Sequence, residues 1–272
     1  MRSKIKALCV TFIFSFGTTW AADSQISAKK SKSWSLSAEA SLGTSMHHFD
    51  DPDKAISTDF SLSPTYKVGK GITLFGSVSG NKDLKGERLW TWGNSALGLS
   101  SSLGKTEYIS TSGSLIATLP TSEAAKDYQK MIVGLTAAPK FSLRTNKLGF
   151  ENFGISYAPS ATVYFHEYTT SLTGGSNKQY VLSNSLSLSY TITDEVSLFG
   201  VSKYGRSITY KGNQSDFYSF VAGASYAPTA NTSLTAGVAQ GGSPLAANGY
   251  ETDIDLYDAR AASMFFSFGF AY

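Results

Sequence analysis

The sequence has 272 residues, of which 16% are charged and 13% are aromatic, and its mean hydropathy is −0.10. This content of buriable groups excludes a disordered chain, and the abundance of Gly, Ser, Thr and Tyr excludes a coiled coil. A helical membrane protein is also excluded, because no apolar run reaches the roughly 18 residues that a membrane-spanning helix needs.

Residues 1–21 have the three features of a secretory signal peptide. Basic residues lie at the start, residues 7–16 are apolar, and small residues precede a cleavage point after Ala21. We therefore predict that residues 1–21 are removed on export and that residues 22–272 form a single domain.

Loss of this segment changes the charge and the cysteine content. Three basic residues leave with it and no acidic ones do, so the mature chain carries as many positive as negative charges. The sequence pI of about 8.7 belongs to the targeting segment and does not indicate nucleic-acid binding. Cys9 is the only cysteine, so the mature chain is expected to contain neither disulfides nor reactive thiolates.

The mature chain alternates between apolar and polar residues. Within 34–46 the apolar side chains fall on even positions: Trp34, Leu36, Ala38, Ala40, Leu42 and Met46. The same period recurs in 56–66 and in 180–192. A period of two is that of a β-strand, and each run is as long as the roughly 9–11 residues of a tilted membrane strand.

Twelve such segments can be placed along the chain. They are predicted at 34–46, 55–66, 72–80, 89–101, 106–119, 131–143, 148–167, 179–192, 196–211, 215–227, 232–241 and 259–272. Short, turn-like connections at 67–71, 102–105, 144–147, 193–195 and 228–231 alternate with mostly longer ones at 47–54, 81–88, 120–130, 168–178, 212–214 and 242–258. Short turns at one rim and long loops at the other are typical of an outer-membrane barrel.

The segment 148–167 is less regular than the others, because Pro159 interrupts it. A hairpin here would add a strand and would place the chain ends on opposite sides of the membrane. We predict one long strand, partly outside the bilayer, with Pro159 at a bulge or near the rim.

A tyrosine precedes a short turn in three similar segments, 63–79, 187–203 and 223–239. These residues and the last tyrosine predict an aromatic girdle at the inner membrane boundary, formed by Tyr66, Tyr190, Tyr226 and Tyr272. The alternative is a water-soluble sandwich, whose polar face would carry more Lys and Glu than the Ser, Thr and Gly found here.

The sequence ends in MFFSFGFAY, with apolar residues at every second position: Met264, Phe266, Phe268, Phe270 and Tyr272. In this ending the sequence resembles bacterial outer-membrane β-barrel proteins, and no subfamily is indicated. The resemblance implies an all-β transmembrane barrel in the outer membrane of a Gram-negative bacterium. The twelve segments and their alternating connections predict that this barrel is antiparallel and up-and-down, with 12 strands. The resemblance also implies contact with lipid and lipopolysaccharide, and recognition of Phe266, Phe268, Phe270 and Tyr272 by the barrel-assembly machinery.

The parity of a position, odd or even along a strand, predicts whether its side chain faces lipid or the lumen. The predicted lipid-facing residues include Trp34, Leu36, Leu62, Leu186 and Phe268. The lumen parity is mainly Ser, Thr, Gly and Ala, with pore-lining charges predicted at Glu39, Asp59, Lys140, Arg144 and Lys203. Phe75, Phe199, Val201, Phe217, Val221 and Phe265 share this parity, which indicates either a local change of phase or an apolar patch in the lumen.

Enzymatic activity is not expected. Some outer-membrane barrels are phospholipases that carry a His, a Ser two residues later and a nearby Asn. Neither His48 nor His166 is followed by Ser at that position. No cofactor or nucleic-acid partner is predicted either.

Acidic residues in the first long loop form a weak candidate cation site. They are Asp50, Asp51 and Asp53, next to His47 and His48. Carboxylate oxygens are ligands for divalent cations, but a solvated polar loop explains the same residues and is the favoured interpretation.

Three functions fit the pattern. The favoured one is a channel for passive diffusion of small hydrophilic solutes, with the long loop 242–258 setting its size limit. The alternatives are a structural or adhesion barrel with a closed lumen, and a channel for hydrophobic compounds. Pore width separates the first two, and the orientation of Phe199 and Phe217 separates the first from the third. The sequence indicates neither the solute nor an oligomeric state.

Overall fold

The structure is a computed structural model that describes residues 33–48, 50–69, 71–85, 88–244, 254 and 262–272. The predicted signal peptide, 1–21, and most of the predicted loop 242–258 lie outside these residues. None of the helices in the described part of the chain is long and apolar enough to cross a membrane.

Antiparallel β-strands account for most of the described residues. They are β1 Trp34–Ser45, β2 Ile56–Gly69, β3 Ile72–Asp83, β4 Trp90–Trp92, β5 Ser95–Lys105, β6 Ile109–Leu119, β7 Met131–Leu143, β8 Phe153–His166, β9 Lys178–Thr191, β10 Val196–Thr209, β11 Gln214–Thr229, β12 Thr232–Gly242 and β13 Ser263–Ala271. A single π-helical turn, Ala124–Tyr128, and a 3-10 turn, Thr145–Leu148, lie in two of the connections.

The sheet closes on itself as a 12-strand barrel, as the sequence predicts. Sequential strands pair with one another, β13 pairs with β1, and β2 pairs with β3. Strands β4 and β5 both pair with β3, at successive parts of its length. They therefore occupy a single position in the barrel. Closure leaves no edge whose N–H and C=O groups would lie unpaired in lipid.

The split between β4 and β5 differs from the prediction of one strand at 89–101. Between them, the Gly93 N–H still donates to the Ser79 carbonyl of β3 at 2.9 Å, but Gly93 and Asn94 also bond to the next connection. The Thr121 hydroxyl donates to the Gly93 carbonyl at 2.8 Å, and the Asn94 side-chain oxygen accepts from the Ser122 hydroxyl at 2.8 Å. These bonds tie the connection to the barrel wall.

The connection from β7 to β8 is longer than the predicted turn at 144–147. The 3-10 turn Thr145–Leu148 ends at Gly149, whose φ of 82° is in the left-handed region that favours glycine. The Thr145 hydroxyl then donates to the Phe153 carbonyl. As a result, β8 begins at Phe153 and not at residue 148.

Pro159 lies in the middle of β8, so its predicted position at a bulge or near the rim is wrong. The strand is single and pairs with β9 through it, Pro159 facing Asn184. On the other side, β7 and β8 pair at Ala137 with Ala161 and again at Phe141 with Tyr157. This unchanged register sets Pro139 against Pro159, and because neither has an N–H to donate, the ladder is interrupted without a bulge.

Aromatic rings on the lumen side lie over glycines of neighbouring strands. The pairs are Phe75 over Gly98, Phe199 over Gly223, Phe217 over Gly205 and Phe265 over Gly237. Such pairs shield the exposed backbone of a glycine and help to fix strand register. A β-carbon at these glycines would occupy the space that each ring fills.

Gly223→Ala is expected to destabilise the barrel by about 1–3 kcal/mol through overpacking. The added Cβ would lie 2.9 Å from the Phe199 Cζ and 3.0 Å from the Gly237 Cα, so both the ring and the neighbouring backbone must shift. Gly200→Ala is the control, because Gly200 faces the lipid side of β10 and no atom lies within 4 Å of its added Cβ. Urea unfolding in lipid vesicles should separate the two variants, and equal midpoints would contradict this packing.

Candidate pore lumen and outer surface

Large apolar side chains cover the outside of the barrel. Trp34, Leu62, Leu186 and Phe268 are between 44% and 48% exposed, and Leu36 is half-buried on the same face. A closed barrel with an apolar outer band is the form in which β-structure crosses a bilayer. This band therefore faces lipid.

The four predicted girdle tyrosines lie on the outer face at the rim of the short turns. Tyr66 is the direct partner of Trp34, whose ring centroid is 5.4 Å from that of Tyr272. Tyr190 pairs with Phe153 at a centroid distance of 4.9 Å, and Tyr226 is opposite Val196. Trp34 and Phe153 belong to the same band, although the sequence analysis did not assign either residue to a girdle.

The predicted assembly residues lie at the outward-facing positions of β13 and at the residue that follows it. Phe266, Phe268 and Phe270 alternate on the lipid face, opposite Leu42, Ala40 and Ala38 of β1. Tyr272 follows, and its N–H donates to the Leu36 carbonyl at 2.9 Å, while the Leu36 N–H donates back at 3.2 Å. These residues therefore lie in the seam that closes the barrel.

A second aromatic cluster, which the sequence analysis missed, lies toward the rim of the long loops. Trp90 and Trp92 are 57% and 56% exposed, and each ring centroid is 5.5 Å from that of Phe60. The Lys82 ammonium lies 5.0 Å from the Trp90 centroid. Aromatic rings with a neighbouring cation are favoured at the level of the lipid headgroups, where one side is apolar and the other is polar.

One outward-facing ion pair lies between β10 and β11. Arg206 donates from Nε and Nη2 to the two carboxylate oxygens of Asp216, at 2.6 Å and 2.9 Å. The Tyr204 hydroxyl donates to the same carboxylate at 2.7 Å. Mutual neutralisation by a bidentate pair lowers the cost of holding charge at this surface, close to the end of the strands.

Small polar side chains form most of the lumen wall. On β9 four consecutive inward residues are Ser183, Ser185, Ser187 and Ser189, and their partners on β8 are Ser160, Ala158, Ser156 and Gly154. Hydroxyl groups bond along the wall, as between Ser160 and Ser183 at 2.7 Å and between Thr136 and Thr162 at 2.8 Å. These side chains are too short to reach across a barrel of this size.

Four of the five predicted pore-lining charges lie at inward positions of the strands: Glu39, Asp59, Lys140 and Lys203. Arg144 does not. It follows the end of β7, and its Nη1 donates to the carbonyls of Thr106 and Glu107 at 3.0 Å and 3.3 Å. The guanidinium therefore holds two turns together at the rim, because the chain has left the sheet before residue 144.

The four predicted charges that face inward are separated by sign. Glu39 and Asp59 are on β1 and β2, where the Asn81 amide donates to Asp59 at 2.7 Å. Lys140 and Lys203 are on β7 and β10. By the shorter way round the barrel, four strand positions lie between β1 and β7 and four between β2 and β10. These four groups therefore lie on opposite walls of the lumen.

The sequence analysis did not assign two further charged residues that share the inward register. Asp83 on β3 adds to the acidic wall, and Lys67 places a cation at the short-turn end of β2.

The apolar residues on the lumen parity do face inward, so the strand phase in the sequence analysis is correct there. Phe199, Val201, Phe217 and Val221 alternate with outward residues in the β10 and β11 ladders, and Phe265 does so in β13. The Lys203 ammonium is 5.8 Å from the Phe217 ring centroid. The wall from β10 to β13 is consequently more apolar than the serine-lined wall of β8 and β9.

The acidic residues of the first long loop make contacts within the loop. The carboxylate of Asp51 accepts the Asp53 N–H at 2.8 Å and lies 3.3 Å from the His47 Nδ1. The bond from Asp53 is the main cause that holds the pKa of Asp51 below its usual value, and His47 adds to the effect. No group of three His, Cys, Asp or Glu side chains in the described residues is arranged to hold a metal ion.

Several solved outer-membrane barrels share this fold. An outer membrane channel from Pseudomonas putida F1 has a TM-score of 0.60 and 11% identity, and the match covers 90% of this chain and 97% of that one. The NanC porin has a TM-score of 0.52 and 10% identity over 86% and 98% of the two chains. The KdgM porin, solved in complex with disordered oligogalacturonate, has a TM-score of 0.50 and 7% identity over 88% and 99%.

No protein-family model matches the chain, and no curated protein matches it. At the identities of these solved structures, similarity establishes the fold alone. The fold is that of bacterial outer-membrane channels and porins, which agrees with the resemblance seen in the sequence.

Proposed function

We propose that the protein is an outer-membrane channel through which small hydrophilic solutes diffuse passively. The observation that supports this proposal is the wall of β8 and β9, where the inward side chains are mostly hydroxyl groups on short stems. A barrel with about eight strands is filled by its side chains, whereas larger barrels hold aqueous channels. Twelve strands lined with short side chains favour an open lumen.

We also propose that residues 1–21 are removed as the protein leaves the cytoplasm. Mass spectrometry of the native protein should then find it to start near residue 22. The barrel-assembly machinery recognises Phe266, Phe268, Phe270 and Tyr272. The aromatic cluster at Trp90 and Trp92 and the nearby Lys82 contact lipopolysaccharide at the outer surface.

Weak ion selectivity is expected, because the inward charges include both signs. A ring of one sign selects strongly, whereas opposite signs on facing walls largely offset each other. Lys203→Glu should shift the balance, lowering the anion-to-cation permeability ratio by roughly threefold. Reversal potentials in a salt gradient measure this ratio.

Lys211→Glu is the matched control, because it makes the same charge change in the β10–β11 turn, outside the barrel wall. A clearly smaller shift is expected for it. Equal shifts for the two variants would show that Lys203 is not part of the ion path.

A further inference from the structure

Four apolar side chains lie close together on the lumen wall. We call them the apolar strip: Phe199, Val201, Phe217 and Val221. Val201 and Val221 are direct partners across β10 and β11. The ring of Phe199 extends over Gly223 and the ring of Phe217 over Gly205, so both rings lie along the wall, and both are half-buried. Phe265 on β13 faces the same way but is only 5% exposed, so it is not part of this surface.

Lys203 lies within this surface. Among the inward-facing residues of the described strands β10 to β13, it is the one that carries a charge. Its ammonium is 5.8 Å from the Phe217 centroid, and its direct partners are Ser185 on β9 and Ser219 on β11. A cation and two hydroxyl groups are therefore set beside an apolar surface.

We propose that this wall binds small organic anions that carry an apolar body, with aromatic carboxylates as the typical class. The carboxylate lies at Lys203, within reach of Ser185 and Ser219, and the ring packs on the apolar strip. This inference rests on the proposed channel function, because the solute must enter the lumen, and it deepens that function by naming a solute class.

Charge complementarity distinguishes this class from other solutes. Inward acidic residues lie on β1, β2 and β3, at Glu39, Asp59 and Asp83, so an organic cation would be drawn to that wall and not to Lys203. An inorganic anion gains nothing from the apolar strip, and an uncharged aromatic compound gains nothing from Lys203. Only an anion with an apolar body uses both features, which in combination should add to its affinity.

Lys140 offers a matched control within the same lumen. It also faces inward, but its partner across β6 is Ser112, and the inward residues next to it on β7 are Ala138 and Ser142. These small neighbours offer a ring little surface to pack on. Lys203→Gln and Lys140→Gln therefore remove the same charge from an apolar and from a polar wall.

The test uses the full barrel, refolded in detergent and checked for heat-modifiable migration, with benzoate, acetate and benzyl alcohol as probes. Calorimetry measures binding, and block of single-channel current in planar bilayers measures occupancy of the pore. Benzoate should bind at least about tenfold more tightly than either acetate or benzyl alcohol. Lys203→Gln should weaken benzoate binding about tenfold, and Lys140→Gln by less than about twofold. Phe217→Ala should weaken binding of benzoate but not of acetate.

The outcomes separate this inference from the proposed function. Equal loss of benzoate binding in the two lysine variants, or equal binding of benzoate and acetate by the unchanged barrel, would overturn the site even if the barrel conducts. Benzoate binding that depends on Lys203 in a barrel without conductance would support the site and refute the open pore.

Discussion

Leu186→Arg should destabilise the barrel by about 2–4 kcal/mol, the cost of an arginine on the lipid face near the bilayer midplane. Leu186 is 44% exposed, lies near the middle of β9, and has the outward-facing residues Tyr157 and Ser202 as its partners. An arginine there must carry its charge into hydrocarbon or distort the bilayer to reach water. Equilibrium unfolding by urea in lipid vesicles measures the loss.

Ser187→Arg is the matched control, one residue along the same strand. Ser187 faces the lumen between Ser156 and Val201, where an arginine can be hydrated. We expect it to cost less than about 1 kcal/mol. Losses of equal size at positions 186 and 187 would mean that the two faces of β9 have been misassigned.

Deletion of Phe270–Tyr272 should abolish assembly, which is the second large effect expected. The deletion removes the backbone bonds between Leu36 and Tyr272, the contact of the Tyr272 ring with Trp34 at 5.4 Å, and the last pairs of β13 with β1. Without them β1 and β13 keep unpaired groups at the membrane boundary. Heat-modifiable barrel in outer-membrane fractions, quantified on gels, should fall below detection.

Tyr272→Phe is the control for this deletion, because it keeps the ring and the backbone bonds. It should assemble at nearly normal levels. Normal amounts of folded barrel after the deletion would show that the seam and the aromatic ending are dispensable.

The strand period and its two faces could be predicted from the sequence because each strand carries its own signal. Leu186 and Ser187 were assigned to opposite faces from the alternation of 180–192, and the β9 registers place them there. Lys203 was assigned to the lumen in the same way. A period of two is visible within one strand, so it can be recognised without knowing which strands are neighbours.

Features that depend on pairing could not be predicted in this way. Pro159 is tolerated within β8 because the register sets it against Pro139, a residue twenty positions earlier on another strand. Arg144 continues the polar parity of β7, but the chain turns before it and the carbonyls of 106 and 107 capture its guanidinium. The cluster of Phe60 with Trp90 and Trp92 likewise requires that β3 hold β2 and β4 on either side.

The apolar strip could be predicted only in part. Its residues share the lumen parity in the sequence, but a register slip of one residue in these strands would account for the same pattern. The pairing of Val201 with Val221 and of Phe199 with Gly223 removes that alternative. It also shows that glycines make room for the rings, which no single strand reveals.

The central claim is that the barrel contains an open, water-filled pore. Conductance of purified, refolded protein in planar bilayers tests it most directly, with and without the loop 242–258. We predict stepwise openings with weak ion selectivity, and a larger conductance after removal of the loop. Absence of channels in both forms, with protein shown to be folded and inserted, would contradict the pore and would favour a structural or adhesion role.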